Sequence, residues 1–166
     1  MGADLWVLPL NGAPGTGKPT LLLGTQFDES DASFSPDGRW VAYRSNASGR
    51  MEIYVRPFVA AGPALGEGQW QVSRDGAIAQ RPKWSNDGKE ILFLGPNYTM
   101  MAVEVNGSGA GFQMGTPQQL FTVPVAAGWD VTADGQRFLM SVPPGIGQQT
   151  QTPITVVLNW QADLKK

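Results

Sequence analysis

A turn that occurs three times constrains this chain more than any other feature. The segments ASFSPDGRWVAYRS (32–45), PKWSNDGKEILFLG (82–95) and WDVTADGQRFLMSV (129–142) align without a gap. Their Asp-Gly pairs, Asp37-Gly38, Asp87-Gly88 and Asp134-Gly135, stand 50 and then 47 residues apart. In each copy a large apolar residue (Phe34, Trp84, Val131) precedes a hydroxyl residue (Ser35, Ser85, Thr132). One variable residue, Asp-Gly and a long polar residue (Arg39, Lys89, Gln136) follow. Apolar residues then alternate: Val41 and Tyr43, Ile91 and Phe93, Phe138 and Met140. Asp-Gly between two apolar runs marks a hairpin, because Gly supplies the positive φ that the turn needs. Pro36 presets φ in the first copy. The repeated Asp reads as turn chemistry, its side chain bonding nearby backbone N–H groups, and not as a repeated catalytic group.

A third strand is expected after each hairpin, at 52–58, 99–105 and 153–160, and a fourth at 69–76 and 117–123. Four antiparallel strands per 47–50 residues is the period of a β-propeller blade. DLWVLPL (4–10) repeats the third-strand pattern and PTLLLGT (19–25) the fourth. The expectation is therefore an all-β chain of thirteen strands, a partial propeller of about 3.5 four-stranded blades. It divides into a half blade (1–27), two blades (28–76 and 77–123) and an incomplete blade (124–166), and so reads as part of a larger propeller. Gly or Pro interrupts almost every long window, and no amphipathic helix is expected.

Composition narrows the function classes. With 12 Lys and Arg against 14 Asp and Glu the net charge is −2, which argues against a nucleic-acid partner. Hydrophobic residues make up 42% of the chain, enough for a sizeable core. There is no Cys and no His, which excludes thiol nucleophiles, zinc–sulfur sites, a Ser-His-Asp triad and His-ligated metals. No apolar run reaches the length of a membrane span, so no direct membrane insertion is expected. The N-terminus lacks a signal-peptide pattern, and Trp6 stands where a myristoylation motif wants Ser or Thr.

FSPDGRWVAYRSN followed by EIYVRPF resembles the TolB-like β-propeller repeat, a relative of the WD-repeat blade. The usual form of that repeat is W-S-P-D-G-K-x-I-A-F and then an I-W-V strand. The resemblance covers nearly the whole chain. The second copy departs from it at Asn86, and the third at Thr132-Ala133. GWDVTADGQRFLM with ITVVLNWQADLKK resembles the C-terminal end of bacterial, acidobacterial-type Ser/Thr protein kinases that carry such a propeller beyond a membrane span. The resemblance implies a bacterial, extracytoplasmic (periplasmic) sensor or docking part of a membrane-anchored protein. The kinase motifs themselves are absent, so catalysis does not carry over.

Several motifs invite sharper readings. GAPGTGKPT (12–20) has most of a phosphate-binding loop, but Pro19 stands where a Mg²⁺-binding hydroxyl belongs and a strand, not a helix, follows. It reads as a connection between strands. Asp28, Glu29 and Asp31 form an acidic cluster before an inner strand, yet lack the spacing of a Ca²⁺ loop, so no metal and no cofactor is expected. Arg44, Arg74 and Arg81 are expected to share a face with Asp28 and Asp31, giving a mixed-charge rim suited to protein recognition. Tyr98 and Trp129 join them as candidate partner-binding residues. Trp6, Trp84 and Trp160 are expected to pack between blades, whereas Trp40 sits out of phase with Val41 and Tyr43. Three Asn-x-Ser/Thr matches, at Asn46, Asn97 and Asn106, are chance matches under the bacterial origin that the resemblance implies.

The expected function is a non-catalytic interaction or sensor module that binds protein, peptide or a small ligand through its loops. Two alternatives stand beside it: the propeller of a prolyl-oligopeptidase-like peptidase, and a carbohydrate-active propeller using carboxylates alone. About 3.5 blades cannot close a ring alone. Two outcomes are expected from the apolar flanks: a homodimer completing a ring of about seven blades, or a fragment of limited solubility; pairing of the N-terminal half blade with the C-terminal strands of the same chain is a further alternative.

Overall fold

The computed structural model describes residues 2–10, 17–62, 64–78, 81–109, 111–123 and 128–144. The expected strand at 153–160, with Trp160, and residues 12–16 of the glycine-rich segment lie outside the described residues.

The three Asp-Gly segments fold into the same turn. In the first, Asp37 Oδ1 accepts from the Ser35 hydroxyl at 2.6 Å and from the Arg39 N–H at 3.1 Å. Ser35 Oγ in turn accepts the Trp40 N–H at 3.0 Å. Asp87 with Ser85, and Asp134 with Thr132, repeat the arrangement. Gly38, Gly88 and Gly135 have φ of 68°, 71° and 69°, a region in which any Cβ is strained. Side chain and backbone thus fix one geometry three times.

These turns join the first and second strands of successive antiparallel sheets. In the first whole sheet β3 (Glu29–Phe34) pairs with β4 (Trp40–Ser45), and β4 with β5 (Glu52–Val59). The fourth position is shared by β6 (Ala64–Leu65) and β7 (Trp70–Gln71), both antiparallel to β5. In the second, β8 (Lys83–Trp84), β9 (Glu90–Gly95) and β10 (Thr99–Asn106) pair in order. Its fourth position is again in two pieces, β11 (Gln113–Met114) and β12 (Gln118–Thr122). Two smaller sheets flank these: β1 (Leu5–Val7) with β2 (Thr20–Leu23), and β13 (Gly128–Val131) with β14 (Phe138–Ser141).

The all-β architecture is that of a partial propeller: sheets in chain order, each packed face to face on the next. One face of β4 and β5 (Val41, Tyr43, Tyr54) meets Leu5, Leu22 and Leu23 of the first small sheet. The opposite face (Trp40, Ala42, Ile53, Val55) meets Ile91, Phe93, Val103 and Phe112. The far face of the second whole sheet (Leu92, Leu94, Met100, Ala102) then meets Trp129, Phe138 and Met140. A strand covered on both faces reads as a continuous buried run, and β4 and β9 are buried at every position.

Two expectations are corrected. The fourth strand expected at 117–123 is present as β12, but the one expected at 69–76 shrinks to β7, and in each whole sheet an unexpected short piece, β6 or β11, precedes it across a break. In the first sheet the break at 66–69 lies beside Pro57, which has no N–H to give the ladder; its carbonyl accepts the Gly66 N–H at 2.9 Å. In the second the break follows Gly115, whose N–H goes to Glu104 O at 2.9 Å. Trp6 is not packed between sheets: it is 59% exposed. Leu5 occupies the face of β1 that meets β4 and β5, and Trp6 points the other way. Trp40 faces the second whole sheet, with Nε1 donating to Gly107 O at 3.2 Å.

Candidate functional site

The first strand of each unit lies against the first strand of the next. Ser33 of β3 donates its hydroxyl to Pro82 O at 2.7 Å, and Trp84 Nε1 of β8 donates to Ser33 O at 3.3 Å. Between β3, β8, β13 and their Asp-Gly turns runs a groove of about 540 Å³. Ser33, Lys83 and Asp130 occupy the same position of the repeat, one residue before Phe34, Trp84 and Val131, and all three line the groove. Phe34, Trp84 and Val131 of the next column line the groove too, so two successive positions of the repeat border one cleft.

Charges of both signs are set in this groove. Lys83 Nζ lies 2.9 Å from Asp130 Oδ1 and 5.5 Å from the centre of the Trp129 ring, so its cation is held by a carboxylate and an aromatic face. Asp130 is held below the ordinary carboxylate range, first by that hydrogen bond from Lys83 and then by the Val131 N–H. The Ser85 hydroxyl does the same for Asp87 and the Thr132 hydroxyl for Asp134. These three carboxylates are ionised at neutral pH, and they accept hydrogen bonds and hold charge. Phe34 is half exposed at the groove and meets Phe58 edge-on at 4.8 Å. Arg81 is exposed on its lip.

The acidic cluster lies at the other end of the strands and does not converge. Asp28 Oδ1 accepts the Ala3 N–H at 3.0 Å, and its own N–H goes to Asn46 Oδ1 at 2.9 Å. Glu29 is buried and accepts from Thr25 Oγ1 at 2.6 Å and Ser45 Oγ at 3.4 Å. Asp31 has φ 53° at an irregularity in β3, and is paired to the buried Arg44 at 2.5 Å. Each carboxylate has its own partner. Among the described residues no group of three acidic side chains is placed to hold a metal ion.

The other candidates scatter. Arg74 is exposed, and its carbonyl accepts from the Arg50 guanidinium. Tyr98, at φ 55° in the 3-10 turn Pro96–Tyr98 between β9 and β10, is half-buried against Leu94, Met100 and Val123. Its carbonyl accepts the Val123 N–H at 3.0 Å. Of the eight candidates, the groove takes Arg81 in its lining and Trp129 beneath Lys83. Sequence reasoning missed Lys83, Asp87, Asp130 and Asp134 as a group. The signal was present, since the column Ser33/Lys83/Asp130 is polar in all three copies. It also missed Glu52, fully buried at the start of β5. The Glu52 carboxylate accepts from Arg50 Nε at 2.8 Å, from the Gly76 N–H at 3.0 Å and from the Ser73 hydroxyl. It ties the loop before β5 to the segment after β7.

No family model matches this chain, and no curated protein matches it. Among solved structures it is similar to TolB from Acinetobacter baumannii, with 18% identity and a TM-score of 0.46. The likeness covers 77% of this chain and 41% of that one, so the chain spans about two-fifths of that protein's length.

Proposed function

We propose that the chain is a non-catalytic interaction module that holds a protein or peptide segment in the groove along its inner strands. The observation that carries this reading is the column Ser33, Lys83 and Asp130: one repeat position, polar in every copy, facing one cleft. A rigid stack of sheets with charges of both signs in a cleft suits recognition of an extended segment. The ionised state of Asp87, Asp130 and Asp134 favours binding over proton transfer, because a carboxylate acid catalyst needs a raised pKa. The resemblance of the sequence to kinase-associated propellers extends the proposal to an extracytoplasmic sensor within a membrane-anchored bacterial protein.

A random peptide library displayed on phage, panned on the immobilised chain, tests the reading. Enriched peptides are expected to bind the chain and to lose affinity by roughly tenfold, about 1.4 kcal/mol, on Lys83→Ala or Arg81→Ala. Enriched peptides that bind both variants as well as the parent would place recognition elsewhere, and a panning that enriches nothing would remove the proposal.

A further inference from the structure

The groove along the inner strands is graded in charge from one end to the other. Arg81, exposed on its lip, stands ahead of β8, and the turn that holds Asp87 follows β8. Lys83 of β8 meets Asp130 of β13 at 2.9 Å, so residues of one repeat position stand at one level. By the same register Asp134 stands at the level of Asp87, and both line the groove. Ser85, where the turn begins, is four residues beyond Arg81. At about 3.3 Å per residue of extended chain, the two ends are about 13 Å apart.

The charges along the groove are not cancelled alike. Midway, Lys83 and Asp130 neutralise each other. At the turn end, Asp134 uses Oδ1 for the Thr132 hydroxyl and for the Gln136 N–H at 3.0 Å. Among the described residues it forms no ion pair, and neither does Arg81. Asp87 uses Oδ1 in the same way, and the Lys89 ammonium lies 3.6 Å from its Oδ2. Both side chains of that pair are more than half exposed, and such a pair is weak. The first turn differs: Asp37 is held by Arg39 at 2.7 Å and lines a separate cleft. The groove therefore offers two carboxylates at its turn end and a guanidinium at the other.

Resting on the reading of this groove as the recognition site, we propose that its partner is an extended segment with a Lys or Arg that meets Asp87 and Asp134 and, four residues away, an Asp or Glu that meets Arg81. Side chains four apart on an extended chain point the same way, so both charges reach the groove together. The partner's cation supplies Asp134 with an ion pair, and its carboxylate does the same for Arg81. Between them the segment runs past Trp84 and Val131, which line the groove between its charged ends. Selection is by spacing and not by net charge, because a purely acidic or purely basic segment meets one repelling end.

Synthetic fluorescein-labelled peptides of Thr and Val, which favour the extended chain, test the pattern. They carry Glu and Lys four residues apart in either order, Glu and Lys adjacent, or Gln at both places. Fluorescence anisotropy at low ionic strength reads their affinity for the 166-residue chain. One of the two spaced peptides is expected to bind roughly tenfold tighter than the adjacent and Gln peptides. Joint Asp87→Asn and Asp134→Asn substitution should remove that advantage and leave the Gln peptide unchanged. Asn keeps the oxygen that accepts the turn's hydrogen bonds, and urea unfolding checks that the fold is retained. Arg81→Gln should remove the advantage from the Glu end. If all the peptides bind alike and all weaken on Lys83→Ala, the charge pattern is overturned while the groove remains the recognition site. A spaced peptide that keeps its advantage in the Asn variant overturns the proposal. So does a failure of every synthetic peptide to bind while peptides selected by panning do.

Discussion

The two whole sheets in the middle and the two small sheets at the ends come from one repeat, yet they meet different surroundings. Every residue of β9 is buried. In β14, the same position of the repeat, half-buried and exposed residues alternate. The turns that precede them are alike in hydrogen bonding and in glycine φ. Local chemistry therefore sets the hairpin, and the number of neighbouring sheets sets the burial. Stability should be concentrated where a sheet has neighbours on both sides.

The largest expected effect is at the central interface. Ile91→Ala removes a fully buried side chain between the two whole sheets and should cost about 2–5 kcal/mol in urea unfolding. Phe138→Ala, at the equivalent position of the end sheet, should cost clearly less, because Phe138 is half-buried and has one neighbouring sheet. Equal losses would break the comparison.

Glu52→Ala comes next. It leaves the Ser73 hydroxyl and the Gly76 N–H without their acceptor, at a cost of about 1–3 kcal/mol in the same assay. Gly38→Ala and Gly135→Ala should each cost about 1 kcal/mol, since both glycines have φ near 70°. Similar values in a middle and an end turn would show that the hairpin is locally determined.

Acid sensitivity is a smaller effect. The Ser35 hydroxyl, followed by the Arg39 guanidinium and N–H, holds Asp37 down at about 2, against an ordinary value of 3.8. A folded-state pKa below the unfolded one gives stability that is present above pH 4 and is lost as pH falls from about 4 to about 2. Asp37→Asn should flatten the pH dependence of unfolding in that window, and an unchanged slope would count against the turn geometry. The smallest effect belongs to the open flanks. At a dilution where the chain sediments as a monomer, Trp6→Ser should change stability by no more than about 0.5 kcal/mol.

The turns and the long strands were legible in the sequence because their determinants are local: a hydroxyl, an Asp, a Gly and an alternating run. The face each residue of β4 takes was half legible. The alternation separates Val41 and Tyr43 from Trp40 and Ala42, but it does not say that both sets are covered. The exposure of Trp6 was missed for the same reason. A strand pattern shows two faces and does not count the sheets against them. The break in each fourth strand had a cue in Pro57 and Gly115, but a two-residue strand has too little pattern to place. The groove was legible only as a column of aligned residues, since Lys83 and Asp130 are 47 residues apart and meet only when neighbouring sheets pack. The acidic cluster looked like a site because three carboxylates are close in sequence. An extended strand and its local partners send them to different acceptors.

Amide hydrogen exchange, read strand by strand on the 166-residue chain at dilution, tests the layered account most directly. Slow exchange confined to β4, β5, β9 and β10, with β1, β2, β13 and β14 exchanging much faster, is the predicted result. Uniform protection across all these strands, or faster exchange in β4 and β9 than in β14, would contradict it.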